Sequence, residues 1–531
     1  MGKHSTSTRL IVCTLLLVLV EAASLQAQPA RPQQSGQAQV GFVQVSPRMP
    51  LVASPTPPVL TQAQREWLEK ATLLVNRSGP ASSQDSVVAA GSMAPSTASA
   101  PRSVQPLAAG DILTINRALT DPETNNLTSV INEPSVAANW PRVFVTANWY
   151  ATFSSNGMGT FSYLDANLLP PIAGQTFCCD QSVVYDAKRN IFIWVSLFIN
   201  GAATTGTLRF SVLPGDFSGL WVYDFTSASF GLAGLPDYPH IALGANSLYV
   251  SMNHFNPNFT QATVARFPLL PMSQAKSFSF NFVNRPEFNM KVAHDYGPGT
   301  KAYWATHINN TTLRVFRWQE GSPTFFFNDV TLPRAWTRGG RGQFVCTTPG
   351  GFNPCARMDD RLMGGFVTGP KKLPAGSTAQ EVVGFTWTGR QGGTFPLPYT
   401  EVVRIDAETM VAIDQPALWN NSFALFYGDF EPNERGDLAG VVDVAGATSH
   451  PAVWAVSLRD ESAIPAPWDV FALKVSTHSP PSNTWGDYNT VRMIRPYGNM
   501  FLAATHTLQG GGANGDVETL LTIITREGDL P

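Results

Sequence analysis

Charged side chains are scarce in this chain, at 14% of 531 residues with a formal net charge of −3. That excludes the basic footprint that nucleic acid or an anionic membrane surface demands. Cysteine is scarcer still, with five in all, and none stands at a Cys/His spacing that would hold zinc. Gly-x-Ser-x-Gly, a phosphate-cradling Gly-rich loop and His-Glu-x-x-His are all missing. What is plentiful is turn-forming and core-building: 43 Gly, 41 Pro and 44% hydrophobic residues. Such a balance suits many short strands and few long helices.

The N-terminus reads as a secretory signal peptide over residues 1–27. Lys3, His4 and Arg9 precede the apolar run Leu10–Val20, and Ala22, Ala23 and Ala27 follow it. The run is too short to span a bilayer, so no membrane association is expected after its removal. A secreted or periplasmic location follows, with the four remaining cysteines available for disulfides. Cys346 and Cys355 bracket the turn-rich "TTPGGFNP" and are placed to close that loop. The neighbours Cys178 and Cys179 either form a vicinal disulfide or stay reduced and buried. Residues 28–110 are rich in Pro, Ser, Ala and Gln and are expected to be largely disordered. Within them Trp67, Leu68, Ala71, Leu74 and Val75 recur at helical spacing, predicting a short helix near 61–76.

From residue 111 to 531 short apolar runs alternate with Gly, Pro, Asn and Asp, which is an all-β texture. A theme recurs in this region: an acid, an apolar run, a polar turn and a second apolar run. It appears as "EPSVAANWPRVFVTANW" from Glu133, "DQSVVYDAKRNIFIWVS" from Asp180 and "DYPHIALGANSLYVSMN" from Asp237. Later copies start at Asp360, Asp429 and Asp487, and a weaker one, without the acid, at Phe288. Spacing of roughly one four-stranded sheet per copy predicts a seven-bladed β-propeller, or six blades if the weak copy is not independent.

The repeat resembles the sialidase-like, Asp-box propeller superfamily. "SSNGMGTF" at Ser154–Phe161 is similar to a degenerate Asp-box, with Asn156 in place of the Asp and Phe161 in place of the Trp. The resemblance implies the architecture and speaks for fold far more than for activity. Sialidases carry Arg-Ile-Pro and three arginines that clamp a carboxylate. Arg-Ile-Pro does not occur here, although Arg334, Arg338, Arg341, Arg357 and Arg361 cluster around the Cys346/Cys355 loop.

In a blade the first strand starts, and the second ends, at one face. The leading acids and second-strand ends should therefore meet around one mouth of the central channel. Candidates for acid–base catalysis there are Asp487, Asp237, Asp360, His506, His307 and Tyr488, because paired carboxylates or a His/Tyr base suit glycoside hydrolysis or elimination. Candidates for ligand contact are Trp485, Trp149, Trp387, Tyr238, Asn148, Asn253, Arg361, Asp180 and Asp429. Recurrence of the acid also fits a purely structural task, accepting backbone N–H groups between blades. A hard cation such as calcium would suit a ring of carboxylates. The expected partner is a carbohydrate or another polar extracellular ligand, bound by a monomer that either cleaves it or serves as a binding or adhesion module.

Overall fold

The computed structural model describes residues 33–51 and 112–529, apart from 167–168, 298, 370, 373–377, 380, 459–467, 481–482 and 511–515. Seven sheets follow one another around a central axis, antiparallel except where His294–Asp295 pairs in parallel with the inner strand of blade 5; Lys371–Lys372 and Thr378–Ala379 form a separate two-stranded sheet. Their innermost strands are Ser135–Asn139, Ser182–Asp186, Leu235–Leu243, Lys291–Val292, Leu362–Thr368, Ala424–Pro432 and Thr490–Met493. The all-β propeller with seven blades is therefore the architecture, and the weak fourth copy is a blade of its own. The expected signal peptide and the helix near 61–76 lie outside the described residues.

The ring closes through the segment that leads into blade 1. Ile112–Ala118 pairs antiparallel with Val517–Arg526 and becomes the outermost strand of blade 7. Opening the ring would thus break a full strand of backbone hydrogen bonds. Blades are covered on both faces by their neighbours, so strands read as continuous apolar runs rather than alternating ones. Ile191–Asn200, "IFIWVSLFIN", is buried at every position but the last. Large rings fill the seams, as where Trp304 stacks on Phe316 at 5.1 Å.

Residues 33–51 depart from the expected disordered leader. Gln34–Gln37 adds a fifth strand to the outer edge of blade 4, and Gln39–Val43 does the same for blade 3. Met49 then exchanges backbone hydrogen bonds with Leu220 on blade 2. This strap covers exposed sheet edges, which otherwise invite association with other strands. Few apolar residues were needed because main-chain pairing carries the attachment. Gly41 is required by close approach: a Cβ there would lie 2.3 Å from the Phe280 ring.

The degenerate Asp-box turns the third strand of blade 1 into the fourth. Ser154 Oγ donates to Asn156 Oδ1 at 2.9 Å, and Thr160 N–H donates to the same oxygen at 3.0 Å. Asn156 thereby does the hydrogen-bonding job of the absent Asp. Both cysteine pairs are joined, Cys178–Cys179 with Cα atoms 3.7 Å apart and Cys346–Cys355 with Cα atoms 5.7 Å apart.

Gly41→Val should loosen the strap without unfolding the propeller. Limited proteolysis is expected to cut within residues 33–51 sooner than in the wild type, with loss of about 1–3 kcal/mol of stability. Unchanged proteolysis would show that the strap tolerates the clash.

Candidate functional site

The inner strands begin at one end of the axis, and there the repeated acids do converge. Glu133, Asp180, Asp237 and Asp487 are each no more than 2% exposed. Four neighbouring carboxylates cannot all ionise away from water. Burial, reinforced by the charges of Asp487 and Asp180, pushes Glu133 well above the usual carboxylate range. Asp180 is likewise raised by burial and then by Asp237, whose own pKa lies at about 6. Glu133 and Asp180 retain their protons and hydrogen-bond Asp487 and Asp237. Arg361 answers the remaining charge, with Nη1 3.4 Å from Asp487 Oδ2 and its guanidinium 4.4 Å from the Tyr238 ring centre. Asp359 holds Arg361 in place through two hydrogen bonds of 2.7 and 2.6 Å.

The acids and the second-strand ends also tie blade to blade. Asp487 N–H donates to Glu133 Oε1, Tyr238 N–H to Asp180 Oδ2, and Val491 N–H to Asp429 Oδ2, at 3.0, 3.2 and 3.0 Å. Asn148 Oδ1 accepts from Asp180 N–H, and Asn253 Oδ1 accepts from Asn289 N–H. Asn289 stands in blade 4 where other blades carry the acid, which is why that copy looked weak.

This end is closed. Phe344, Cys346, Cys355 and Met358, from the segment between blades 4 and 5, pack with Tyr238, Tyr427, Trp485 and Tyr488 in one buried cluster. Ser479 Oγ donates to Thr348 Oγ1 at 2.6 Å and docks the disulfide loop on the far side. The structure thus brings Asp180, Asp237, Asp487, Tyr238, Tyr488 and Arg361 together, but under a cap rather than around an open mouth.

Several expected members lie elsewhere. Asp360 does not face the axis; it pairs with Arg338 at 2.6 Å, and Arg361 takes the inward place. His307 is wedged between Trp336 and Trp387, with ring centres 4.7 and 4.8 Å away. His506 stacks on Trp485 at 4.3 Å, and Trp485 Nε1 donates to Asp443 Oδ2 at 2.9 Å. Burial drives both imidazoles down and keeps them neutral. Trp149 is buried in the core of blades 1 to 3 and 7, and Asn148 and Asn253 are occupied as ties. Asp429 lies deeper along the channel, beside Arg492. Of the loop arginines, Arg334 is taken up by Glu401 at 2.6 Å.

Along the axis the polar groups continue. His240 stands edge-on to Tyr238 at 4.4 Å, and Lys291 Nζ lies 3.0 Å from its Nδ1. Burial lowers Lys291 to about 8 and holds His240 neutral, so the lysine donates to the imidazole.

At the opposite end, where the inner strands finish, the channel opens into a cavity of about 370 Å³. Sequence reasoning missed it. Its wall includes Tyr185, Asp186 and Lys188 from blade 2, His294 and Asp295 from the short strand that pairs with the inner strand of blade 5, Glu431 and Glu434 from blade 6, and Arg492 and Arg495 from blade 7. The volume falls in the range of about 300–1,000 Å³ typical of small-molecule sites. His294 Nδ1 is 3.5 Å from Glu431 Oε2. This is not an ion pair: burial lowers His294 well below its ordinary value and raises Glu431 to about 8. Burial also lifts Asp295 to about 7. Asp186 is held by Arg189 at 2.7 Å, and Glu434 by Arg495. Glu431 Oε2 and Arg492 Nε are buried without a hydrogen-bond partner. Among the described residues no group of three or more His, Cys, Asp or Glu side chains is arranged to hold a metal ion. The signal for this cavity was present as polar residues interrupting inner-strand runs: His294 in "MKVAHDYG", Glu431 in "GDFEP" and Arg492 in "TVRMI".

No protein-family profile and no curated protein matches the chain. Solved structures align with most of its length at low similarity. A protein of unknown function from Dyadobacter fermentans is 10% identical, with 78% of this chain and 100% of that one covered and a TM-score of 0.37. A GH93 α-L-arabinofuranosidase of Fusarium graminearum is 9% identical, with 79% and 99% covered and a TM-score of 0.38. The NanB sialidase of Streptococcus pneumoniae is 9% identical, with 77% and 70% covered and a TM-score of 0.35. These likenesses are of architecture alone, which is also the level of the resemblance in the repeats.

Protons retained by Glu133 and Asp180 make folding pH-dependent. Both pKa values are raised in the folded protein, so their contribution is greatest below about pH 4 and is lost as pH rises toward the folded values. Asp180→Asn keeps the acceptor for Tyr238 N–H and the donor to Asp237 without a charge to bury. Calorimetry is expected to show a shallower fall of melting temperature with pH, and a gain of about 2 °C at pH 8. A loss at pH 8 would mean that Asp180 is ionised.

Proposed function

We propose that the protein binds a neutral carbohydrate in the cavity where the inner strands end. The observation that carries this reading is the polar cavity wall where Glu431 Oε2, 3.5 Å from His294 Nδ1 and 3.7 Å from Arg492 Nη1, and Arg492 Nε make no hydrogen bond within the protein. Buried polar atoms are nearly always hydrogen-bonded, and a hydroxyl that both donates and accepts satisfies this pair. Charge balance supports a neutral ligand. Three cationic side chains line the cavity, Lys188, Arg492 and Arg495, and acids of the wall or just beside it offset them. The half-buried Tyr185 ring, packed 4.7 Å from Phe192, offers an apolar surface for a sugar's C–H face. Arg495 is engaged by Glu434 and Arg492 by Asp429, so neither guanidinium is free to clamp a sialic acid carboxylate or a phosphate. Two disulfides support export to an oxidising compartment, where extracellular glycans are found.

Cleavage as well as binding is favoured by one further fact. Glu431 holds its proton at neutral pH, the state required of a general acid, because burial lifts it to about 8. The acid–base assignments of Asp487, Asp237, Asp360, His506, His307 and Tyr488 are less favoured, since their side chains are capped or turned to other partners.

Calorimetric titration with neutral oligosaccharides of glucan, xylan, mannan and arabinan tests the binding. Arg492→Ala should weaken any complex about tenfold or more, while Asp487→Asn leaves the affinity unchanged. The opposite pattern would move the site to the capped end. If reducing ends are released, Glu431→Gln should abolish release and spare binding. The wild-type rate should fall as pH rises through about 8, where Glu431 loses its proton. A rate that stays flat beyond that point excludes Glu431 as the acid.

A further inference from the structure

A second recess, of about 480 Å³, lies between blades 3 and 4. It is lined by Arg266, Asn281 and Ser279 on blade 3, by Gln319 and Glu320 on blade 4, and by Asn246 in the hairpin between the first two strands of blade 3. Its polar groups are fixed by one another. Arg266 Nη2 donates to Asn281 Oδ1 at 2.9 Å, and the guanidinium stacks over Trp318 at 4.3 Å. Asn246 N–H and Nδ2 donate to the two oxygens of Glu320 at 2.9 and 3.1 Å.

Two features connect this recess to a longer ligand. It shares its inner wall with the central cavity: Leu243 and Ala245 face that cavity, whereas Asn246 and Ser247 face the recess. The segment after the fourth inner strand divides in the same way, with Asp295 and Gly297 on one side and Thr300 on the other. Asn246 Oδ1 accepts from Lys188 Nζ at 3.2 Å, so the boundary itself is polar and ordered. The second feature is the outer rim. Cross-strand partners share a face of a sheet, and Asn281 is paired with Val40 and Ser279 with Phe42 of the strap. Val40 and Phe42 are 69% and 61% exposed. A rigid polar floor beside an exposed ring is the chemistry that grips a sugar: planar amide, carboxylate and guanidinium groups for hydroxyls, and an aromatic face for C–H groups. Adjacent exposed apolar side chains on an ordered strand mark an interaction surface.

The geometry points to a second saccharide subsite in the recess between blades 3 and 4, rimmed by Phe42 of the N-terminal strap and divided from the central cavity by the hairpin Leu243–Ser247. This rests on the reading of the cavity as a neutral carbohydrate site and extends it. The ligand is then an oligomer or polymer, with one part in the cavity and a neighbouring part across the hairpin Leu243–Ser247. The strap, besides covering sheet edges, supplies part of the binding surface.

The test compares disaccharides with hexasaccharides of glucan, xylan, mannan and arabinan on the wild type, Phe42→Ala and Arg492→Ala, with melting curves to verify folding. The wild type should bind a hexasaccharide more tightly than its disaccharide. Phe42→Ala should reduce only the hexasaccharide affinity, by about three- to tenfold, and Asn281→Ala should do the same. Arg492→Ala should weaken both lengths. Equal affinities for the two lengths, or a Phe42→Ala variant that binds the hexasaccharide as the wild type does, would overturn the second subsite while leaving the central one standing. Absence of binding by the wild type to every sugar of the panel would overturn both.

Discussion

Carboxylates gathered away from water around one axis must keep protons or find cations, and that constraint organises one end of this propeller. Glu133 and Asp180 stay protonated, Arg361 faces Asp487, and Asp359 holds Arg361. Each arrangement also fixes backbone, since Glu133 and Asp180 accept N–H groups from neighbouring blades. The acids therefore act as joints between inner strands. Their protonation is what allows the Cys346–Cys355 segment to lie over them, because a ring of free charges would demand water.

Closing one end leaves the other open to solvent. The column from Tyr238 through His240 and Lys291 to Glu431 is polar, and it widens into a cavity where the inner strands finish. Burial has opposite consequences at the two ends. At the capped end the retained protons complete hydrogen bonds within the protein. At the open end Glu431 keeps its proton with no hydrogen bond at Oε2, beside an Arg492 whose Nε makes none either. The same physical effect thus builds a joint in one place and leaves polar groups without hydrogen bonds in the other.

The blade count was legible because inner strands begin with acids at regular intervals, and their burial leaves few other polar residues to confuse the pattern. The registers of Glu133, Asp180 and Asp487 carried the architecture. Asp360 misled because a neighbouring arginine took the inward position, which depends on a contact with Asp359 two residues from Arg361 and on Arg338 earlier in the same connection between blades 4 and 5. The cap was harder to foresee, since nothing in "TTPGGFNP" says where a closed loop will dock. Asp186, His294, Glu431 and Arg492 sit at strand ends on blades far apart in sequence, so only closure of the ring makes them neighbours. The strap shows a further limit. Strand addition at an edge needs main-chain groups and small residues such as Gly36 and Gly41, and leaves little hydrophobic pattern to read.

The central claim is that the ligand enters where the inner strands end. A crystal structure of the protein with a bound neutral oligosaccharide tests it most directly. The account predicts a sugar ring in contact with Glu431 and Arg492, with the Cys346–Cys355 segment unmoved. A sugar beside Asp487 and Tyr488, with that segment displaced, would contradict it.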